Sequence, residues 1–566
     1  MAPPPTPPQH HRPPTPPHPD PTHPDQLQHW LTRPDTTHTH LAILTHHAIT
    51  TSPHDPHPNL AHAATWALIH TTQNEHPHRI TLIDTDHTPT TNTTLPTLLT
   101  TLKHTTEPQL ALRHGTTHTP RLTPTPQTTP APETTPTWDP QGTVLITGGT
   151  GMLGALFAEH LITHYGTRHL LLVSRRGPTA PGATELHQHL TNLGAHVTIT
   201  ACDTTNPHHL ATLLDTIPTE HPLTAIIHTA GILDDAVLTE LTDTQLHSVL
   251  AAKADTAWHL HQLTTNHNLA AFIMFSSIAA TLGSPGQANY AAANAALDAI
   301  AHHHPNATSL AWGYWETPSA MTAHLNHIDQ TRAARNAITP LTTQHGLALF
   351  DAALTHHQPT LIPAPLNPRT LNRLAHRNAL PPILSALTTT RPHAATTTSP
   401  TTLSTQLATQ TPDQQRHTLT TLVTTTTATV LAHPDPTTLD PDRPFKDLGI
   451  DSLTALELRN TLAQHTGQTL PPTLIFDHPT PTTLAHHLTT LLTHHNNTTT
   501  PTGDPEDAEI QQLIASIPVS RLRAEGVLDL LLGMVGQVPQ TGPDDRQVAI
   551  QDLDVEGLVD LVMGEE

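Results

Sequence analysis

The sequence predicts a multidomain chain: an α/β unit built on a parallel sheet, an all-α unit, and an α-helical tail. Its 566 residues indicate three or four folded units. Within residues 142–313, short apolar runs typical of buried strands alternate with helical segments, which favours a parallel sheet covered on both faces. Residues 416–493 carry helical patterns, and an acidic amphipathic segment ends the chain.

Composition and charge argue against several classes of protein. The single cysteine, Cys202, can form neither an internal disulfide nor a cysteine-based zinc site, which fits a reducing cytosol. The N-terminus lacks the features of a signal peptide, and no stretch approaches the ~18 apolar residues that a membrane span needs. The formal net charge of -23 argues against nucleic acid as a partner. We therefore expect a soluble cytoplasmic protein.

The N-terminal region divides into a leader and an α/β segment. Twelve of the first 25 residues are proline, which disrupts helices and central strands, so residues 1–25 are predicted to be a disordered leader. From residue 26 helical and strand-like runs alternate without a glycine-rich loop, including a helix over 63–75 and a strand over 79–86. A Thr/Pro stretch over 122–137 ends this segment.

Residues 142–313 contain the elements of the larger predicted sheet. The strands are TVLIT, HLLLVS, HVTITA, AIIHTAG, AFIMFSS and TSLAWG. Helices are predicted from Met152, near 183–193, over 206–216, over two polar segments before AFIMFSS, and from residue 286.

A glycine-rich loop lies between the first of these strands and the first helix. TVLITGGTGMLG places Gly148, Gly151 and Gly154 there, together with Thr150 and Leu153. Glycines permit a tight turn and let a pyrophosphate approach the backbone N–H groups of a helix N-terminus. The alternative is a βα turn that is tight for packing reasons only.

The next strand favours the dinucleotide interpretation. It ends in Ser174, Arg175 and Arg176, at about 20 residues beyond the loop, where an acidic residue binds the ribose of NAD and an arginine the 2′-phosphate of NADP. The arginines therefore favour NADPH. Asp203, after the third strand, could accept a hydrogen bond from the adenine amino group or cap the helix over 206–216.

A second group of residues fits carbonyl reduction. Ser277 precedes Tyr290 by thirteen residues, and Asn294 follows four residues later on the same helical face. Hydride addition to a carbonyl carbon makes an alkoxide, which a tyrosine can protonate when a nearby cation favours its phenolate. Lys253 is the candidate cation, and Ser277 is placed to donate a second hydrogen bond to the oxyanion. Each of these residues alone is more often structural.

Residues 26–385 resemble the ketoreductase of modular type I polyketide synthases, a relative of the short-chain dehydrogenases/reductases. AATWALIHTTQNEHPHRITLIDTD and EPQLALRHG match its structural subdomain, which binds no cofactor. The resemblance implies a Rossmann-type fold, with a shortened structural subdomain over 26–138 and a catalytic subdomain over 139–385. It assigns a catalytic tetrad, in which the lysine lies upstream of the tyrosine as in polyketide ketoreductases: Lys253, Ser277, Tyr290 and Asn294.

The resemblance also implies a stereochemical type. Leu233-Asp234-Asp235 matches the motif of B-type ketoreductases, and Leu282 stands where A-type enzymes carry a tryptophan. We therefore predict the B-type hydroxyl configuration, with Asp235 bordering the groove through which the tethered substrate enters. A solvated loop acid is the alternative for Asp235.

Residues 416–493 look like an acyl carrier protein. DSL places Ser452 at the start of a predicted helix, and LPPTLIFDHPTPTTLAHHL follows downstream. The resemblance implies an all-α fold of four helices. It also implies that Ser452 takes 4′-phosphopantetheine from a phosphopantetheinyl transferase, and that the acidic helix after it meets basic surfaces of partner enzymes. Thr/Pro-rich linkers are predicted before it, over 386–415, and after it, over 494–507.

The last 64 residues carry fourteen acidic residues and three arginines, a net charge of -11. Residues 508–566 resemble a C-terminal docking domain of the same synthases, which implies a homodimer and a downstream subunit as partner. The predicted last helix, roughly 548–563, has an acidic surround and an apolar stripe. The stripe consists of Val555, Leu558, Val559 and Val562. A solubilising tail is the alternative.

We therefore predict a ketoreductase, a carrier and a docking tail, and expect a split subunit or the remnant of a longer gene, because no ketosynthase or acyltransferase segment precedes them. The expected reaction is NADPH-dependent reduction of a β-ketoacyl thioester on the carrier arm. The competing classes are a carrier and docking module with an inactive ketoreductase, and a free fatty-acid-type ketoreductase. For His302–His304 we expect cations at a helix end rather than a metal site.

Overall fold

The computed structural model describes residues 22–36, 39–102, 105, 107–125, 138–317, 337–377, 379–388, 401–433, 435–471 and 473–497. They belong to two compact units. The first comprises the described parts of Met1–Leu403 and Thr420–Leu484, and the second those of Ser404–Leu419 and Ala485–Glu566. The predicted docking tail, 508–566, lies outside the described residues.

The first unit begins with a small α/β region. Its strands are β1 (Leu41–His46), β2 (Ile80–Thr85), β3 (Gln109–Arg113) and β4 (Thr116–His118), and its helices are α1 (Thr22–Thr32), α2 (Leu60–Glu75) and α3 (Pro89–Thr101). The sheet has the order β1-β2-β3-β4, with the first three strands parallel and β4 antiparallel to β3. Every residue of β2 and β3 is buried, as expected for strands covered on both faces.

The start of this region corrects the predicted extent of the leader. Helix α1 begins at Thr22, inside the segment 1–25 that the proline count assigns to disorder. A proline in the first helical turn costs little, because the N–H groups there have no partner within the helix. Residues 1–21 lie outside the described residues.

A seven-stranded, fully parallel sheet forms the larger part of the first unit. Its strands are β5 (Thr143–Thr147), β6 (His169–Ser174), β7 (His196–Ala201), β8 (Leu223–His228), β9 (Ala271–Ser277), β10 (Ala307–Trp312) and β11 (Thr360–Leu361). The order is β11-β10-β9-β8-β5-β6-β7. The direction of strand addition reverses beside β5, and such a reversal opens a crevice at the carboxyl ends of the strands.

Helices cover both faces of this sheet. They are α4 (Met152–Tyr165), α5 (Ala183–Asn192), α6 (Pro207–Leu214), α7 (Asp243–Leu250), α8 (Thr256–Leu263), α9 (Ile278–Leu282), α10 (Ala288–Ile300), α11 (Thr343–Ala353) and α12 (Pro368–His376). The predicted Rossmann-type α/β fold is thereby confirmed. Within the described ranges, no helix has the length and hydropathy needed to cross a membrane.

Helix α2 of the small α/β region packs against α10, the helix that carries Tyr290. Ala64 and Leu68 of α2 belong to the same buried cluster as Ala288, Ala292 and Ala296 of α10. Alanine side chains allow two helix backbones to approach closely. The small region therefore supports the helix that carries the candidate catalytic residues.

The described residues from 401 to 497 contain helices and no strand, which agrees with the prediction of an all-α unit over 416–493. The helices are α13 (Thr401–Ala408), α14 (Pro412–Val430), α15 (Ser452–Thr466), α16 (Leu474–Asp477) and α17 (Pro481–Asn497). Helix α13 and the start of α14 lie within 386–415, which was predicted to be a linker. Thr and Pro content alone did not exclude helix there, because threonine in a helix costs only a few tenths of a kcal/mol.

The contact between α2 and α10 can be tested by overpacking it. Ala292 is fully buried, so Ala292→Leu should lower the midpoint of thermal unfolding, because added methyl groups in a packed core cost about 1–3 kcal/mol. The control is Thr191→Leu, an exposed position on α5. Equal midpoints for both variants would contradict the close packing of α2 on α10.

Candidate active site and carrier serine

The glycines of the loop after β5 have no room for a side chain, because neighbouring atoms of the protein lie close to them. Gly148 has φ +67°, and a Cβ on Gly154 would lie 2.5 Å from the carbonyl oxygen of Gly148. Gly151 is the N-cap residue of α4, and no side chain caps the helix there. Leu153, in the first turn, packs against the core of the sheet. No side chain therefore caps the first N–H groups of α4, which fits a cofactor diphosphate at this helix start.

A hydrogen-bond chain joins this loop to the end of β6. Thr150 Oγ1 donates to Ser174 Oγ at 2.9 Å, and the Ser174 oxygen also accepts from the Gly177 N–H at 3.0 Å. Arg175 and Arg176, which follow directly, are exposed. Two arginines directly after β6, the strand that pairs with β5, fit the 2′-phosphate of NADPH.

Asp203 does not cap a helix. Its Oδ1 accepts from the Thr205 N–H at 3.2 Å and from Thr205 Oγ1 at 2.7 Å. Helix α6 is instead capped by Asn206, whose side chain accepts from the His208 N–H at 2.9 Å. The N-cap alternative is wrong, because Asn206 is the residue directly before the helix. The contact of Asp203 with adenine stays a prediction.

Three residues of the predicted tetrad meet around a buried ammonium group. Lys253 Nζ donates to the Phe275 carbonyl oxygen at 2.8 Å and to Asn294 Oδ1 at 2.9 Å. It also lies 5.2 Å from the centre of the Tyr290 ring. Asn294 is fully buried, and its amide nitrogen donates to the Tyr290 carbonyl oxygen at 2.8 Å.

Ser277, the fourth residue, lies at the end of β9. Its Oγ accepts from the Ala279 N–H at 3.2 Å and so caps the short helix α9. Acting as an acceptor in this cap leaves the hydroxyl hydrogen available for donation. Burial raises the pKa of the Tyr290 phenol, although hydrogen bonds with Asn294 and Ser277 lower it. The phenol is therefore protonated at neutral pH, and a nearby cation lowers the cost of releasing its proton.

The environment of Lys253 includes two residues that sequence reasoning missed. A Cβ on Gly231 would lie 2.7 Å from Lys253 Cε, so Gly231 leaves room for the lysine side chain. His228 Nε2 lies 3.0 Å from the Lys253 carbonyl oxygen, and its Nδ1 lies 2.7 Å from Thr147 Oγ1. Burial lowers the pKa of His228 to about 3, so the ring is neutral. Both residues belong to the segment HTAG at the carboxyl end of the fourth predicted strand, and its position there is the one sequence feature that could have indicated them.

The backbone around Lys253 is also unusual. Residues Ala251–Asp255 form a π-helical turn between α7 and α8. Such turns occur frequently at functional sites. The sequence pattern predicts helices on both sides but contains no signal for the turn itself.

Asp298 is a third residue that the sequence did not indicate. It lies one turn beyond Asn294 on α10 and accepts from Ser309 Oγ at 2.6 Å. Burial raises the pKa of Asp298 to about 6, against the lowering effects of Ser309, Ser276 and Lys253. Burial lowers the pKa of Lys253 to about 7, and the Asp298 carboxylate counteracts this. Asp298 therefore favours the charged form of Lys253.

The loop that carries Asp235 is joined to the loop before α10. Asp235 Oδ2 accepts from Gln287 Nε2 at 2.8 Å, and the Ala236 N–H donates to the Gly286 carbonyl oxygen at 2.9 Å. Asp235 is exposed, and its place at the substrate entrance stays a prediction beside the alternative of a solvated loop acid. Leu282 packs against a separate cluster that includes Leu371 and Leu384.

Ser452 is the first residue of α15. The helix is capped by Asp451, whose Oδ1 accepts from the Thr454 N–H at 2.8 Å. Because Asp451 caps the helix, the Ser452 hydroxyl is not needed for that purpose. It donates instead to Glu240 Oε1 at 2.9 Å. Because the Ser452 hydroxyl takes no part in capping the helix, it can carry phosphopantetheine without loss of the cap.

The histidine expectation needs a correction. Burial lowers the pKa of both His302 and His304, so these rings are neutral at pH 7 rather than cations at a helix end. In the part of the chain that the structure describes, no group of three His, Cys, Asp or Glu side chains could hold a metal ion. Cys202 is buried and free.

The fold and the site together define a Rossmann-type reductase fold followed by a carrier domain. Three family models match the chain. They are the KR domain over residues 142–317, the Rossmann fold domain of the polyketide synthase extender module SpnB over 22–122, and the phosphopantetheine attachment site over 421–488.

Similar proteins give a more specific assignment. NorA′ of the spectinabilin polyketide synthase system, from Streptomyces orinoci, is 44% identical over 95% of this chain and 15% of its own length. GfsB, a polyketide synthase of Streptomyces halstedii, is 52% identical over 62% of this chain and 6% of its own length. A solved structure of A-type ketoreductases from a modular polyketide synthase is 35% identical, with a TM-score of 0.55, over 62% of this chain and 73% of its own.

The chain belongs to the modular type I polyketide synthases, in which it corresponds to a ketoreductase and acyl carrier region. It spans only a small part of the curated relatives it matches.

The role of Asp298 predicts a shift in pH dependence. If Lys253 acts as a cation, reduction declines as pH rises through the Lys253 pKa. Asp298→Asn removes the carboxylate that raises this pKa, so the alkaline decline of kcat/KM should move to lower pH. The control is Asp215→Asn at an exposed site. Superimposable profiles for wild type and Asp298→Asn would contradict the electrostatic link.

The two arginines predict cofactor preference. Replacing Arg175 and Arg176 by alanine should weaken NADPH binding about tenfold or more, the loss of one or more charge-assisted hydrogen bonds, and change NADH binding little. Cofactor titration by fluorescence measures both constants. Arg168→Ala, an exposed arginine before β6, is the control. Equal losses for NADPH and NADH would exclude the 2′-phosphate contact.

Proposed function

We propose that the chain reduces a β-ketoacyl thioester, carried on Ser452, to the β-hydroxyacyl thioester with NADPH. The observation that carries this proposal is the contact of Lys253 Nζ with Asn294 Oδ1 and the Tyr290 ring, at the edge of the sheet that also bears the glycine loop. Burying the Lys253 ammonium group costs free energy, which favours a catalytic role over a purely structural one.

NADPH, when bound, supplies the hydride that the β-carbonyl carbon accepts. The residues proposed to hold the cofactor are Gly148, Thr150, Gly151, Leu153, Gly154, Ser174, Arg175, Arg176 and Asp203. Tyr290 gives its phenolic proton to the carbonyl oxygen, and Ser277 donates a hydrogen bond to the same oxygen. Lys253 stabilises the phenolate that remains, and Asn294 holds Lys253 in place.

The carrier role rests on Ser452. Its hydroxyl oxygen forms the phosphodiester bond to 4′-phosphopantetheine, whose terminal thiol bears the acyl chain. A phosphopantetheinyl transferase supplies this group from coenzyme A. The Ser452 oxygen bonds to the phosphorus on the pantetheine side, the diphosphate bond of coenzyme A breaks, and adenosine 3′,5′-bisphosphate and the serine proton leave. The reduced chain then passes to a downstream synthase subunit, for which the acidic tail over 508–566 is the proposed docking and dimerisation element.

The B-type configuration is proposed from Leu233, Asp234 and Asp235 and from Leu282. The hydrogen bond of Asp235 to Gln287, three residues before Tyr290, supports a role of Asp235 at the substrate entrance. Fold similarity does not distinguish types, because A1-type and C2-type ketoreductases are both among the similar structures. Chiral analysis of the reduced product decides this point, and an A-type hydroxyl would exclude the assignment.

Replacing the proposed proton donor tests the reductase function. Tyr290→Phe should lower the reduction of a diffusible β-ketoacyl thioester by about 10²–10⁴-fold, the usual contribution of a positioned acid, while NADPH affinity stays nearly unchanged. NADPH oxidation and cofactor titration measure the two quantities. Near-normal turnover of the variant would remove Tyr290 from the mechanism. No turnover by a folded, NADPH-binding wild type would favour the inactive-ketoreductase alternative.

Loading of Ser452 tests the carrier function separately. With a phosphopantetheinyl transferase and coenzyme A, the wild type should gain one phosphopantetheine and Ser452→Ala none, as read by intact-protein mass. Ser404 lies outside the matched carrier region, so Ser404→Ala is a control that should load normally. Absence of loading in the wild type would end the carrier proposal.

A further inference from the structure

Within the first compact unit, the carrier helix α15 contacts the reductase at three places. Arg459 Nη2 donates to the Glu75 carbonyl oxygen at 2.8 Å, and Asn460 Nδ2 donates to the same oxygen at 3.0 Å. A Cβ built on Gly286 would lie 3.4 Å from Leu453 Cδ2. Ser452 donates to Glu240. The four α15 residues that make these contacts are Ser452, Leu453, Arg459 and Asn460.

The contact at Glu75 follows from helix chemistry. Glu75 is the last residue of α2, and the carbonyl oxygens of the last turn of a helix accept no hydrogen bond from within the helix. They also carry the negative end of the helix dipole, which attracts a cation. Arg459 is 5% exposed, and its burial lowers its pKa to about 10, so it remains charged at neutral pH. An arginine buried to this extent requires such a partner.

The carboxylate of Glu75 bonds two loops of the reductase, whereas its carbonyl oxygen bonds the carrier helix. It is fully buried, and its two oxygens accept from the Gly286 N–H at 2.8 Å and from the Leu238 N–H at 2.9 Å. Burial raises the Glu75 pKa, while these two bonds and Arg459 lower it. One residue thus holds two loops with its carboxylate and the carrier with its carbonyl.

Those two loops border the proposed substrate entrance. Gly286 is followed by Gln287, which binds Asp235, and Leu238 begins the turn that contains Glu240. The Gly286 carbonyl oxygen accepts from the Ala236 N–H as well. Ser452, where the substrate arm would be attached, contacts Glu240 in this same region.

We propose that the carrier docks in cis on the C-terminal end of α2, the docking surface, through Arg459 and Asn460. Glu75 is a positioning residue that couples this surface to the entrance loops of Gly286 and Leu238. The occupant of the surface is the carrier domain of the same chain. Docking here directs Ser452 toward the loops that bear Asp235 and Glu240. The inference rests on the proposed reductase function and adds the surface on which its substrate is delivered.

The decisive variant is Asn460→Asp. Asn460 Oδ1 accepts from Arg459 Nε at 3.1 Å and from Arg459 Nη2 at 2.7 Å, and aspartate keeps this acceptor and the volume of the side chain. The substitution replaces only the N–H donor to the Glu75 carbonyl oxygen, and puts a carboxylate oxygen in its place. Reduction of a β-ketoacyl chain loaded on Ser452 should fall about tenfold, the factor for losing a hydrogen bond and gaining repulsion. Reduction of the diffusible thioester should not change. Arg443→Ala, at an exposed position of the carrier, is the control for both substrates.

Arg459→Ala should give the same selective loss, and normal phosphopantetheine loading of Ser452 verifies that the carrier still folds. If Arg459→Ala does not load, Asn460→Asp alone decides the matter. Wild-type rates for Asn460→Asp on the loaded substrate would overturn the docking surface. A wild type that reduces neither substrate would instead refute the proposed function, so the two failures are distinguishable.

Glu75→Gln tests the coupling. Its amide nitrogen cannot accept from a backbone N–H, so one entrance loop loses its anchor. For the diffusible thioester we expect a higher KM and a less pure hydroxyl configuration, with NADPH affinity unchanged. A loss of thermal stability with unchanged KM and unchanged configuration would mean that Glu75 only supports the fold, and would overturn the coupling.

Discussion

The site depends on one buried ammonium group. Removing a lysine from water is costly unless hydrogen bonds and an opposite charge compensate it. In this chain the compensation comes from three groups on two elements: the Phe275 carbonyl of β9, and the Asn294 side chain and the Asp298 carboxylate of α10. The positions of β9 and α10 relative to the π-helical turn are therefore fixed by the same contacts that place Lys253 beside Tyr290.

The small α/β region contributes to this arrangement although it carries none of the proposed catalytic residues. Helix α2 packs along α10 through alanines, so it supports the helix that presents Tyr290 and Asn294. At its C-terminal end, Glu75 holds the loop before α10 by a hydrogen bond to Gly286. A region without a glycine-rich cofactor loop can thus influence both the proton donor and the substrate entrance.

Much of the fold could be predicted because its determinants are local. Apolar runs such as TVLIT and HLLLVS become strands of the central sheet, and the glycine loop and the Asp451-Ser452 helix start lie where the pattern indicates. The remaining features depend on contacts between distant residues. Gly231 needs to be glycine only because Lys253 packs against it.

The wrong predictions have both local and tertiary causes. Asn206 rather than Asp203 caps α6, because capping is decided by the residue that directly precedes the first turn. Helix α13 forms in a Thr/Pro-rich stretch that composition assigned to a linker. The burial that neutralises His302 and His304 arises from tertiary packing, which a helix-end argument does not contain.

The central claim is that this chain reduces a substrate held on its own carrier, and a dilution series measures it most directly. The protein is loaded with a β-ketoacyl phosphopantetheine at Ser452, mixed with NADPH, and followed by intact-protein mass over a range of protein concentrations. The account predicts a gain of two hydrogen atoms at a rate that does not depend on concentration. No mass gain in a folded protein that binds NADPH would contradict it, as would a rate that falls in proportion to dilution.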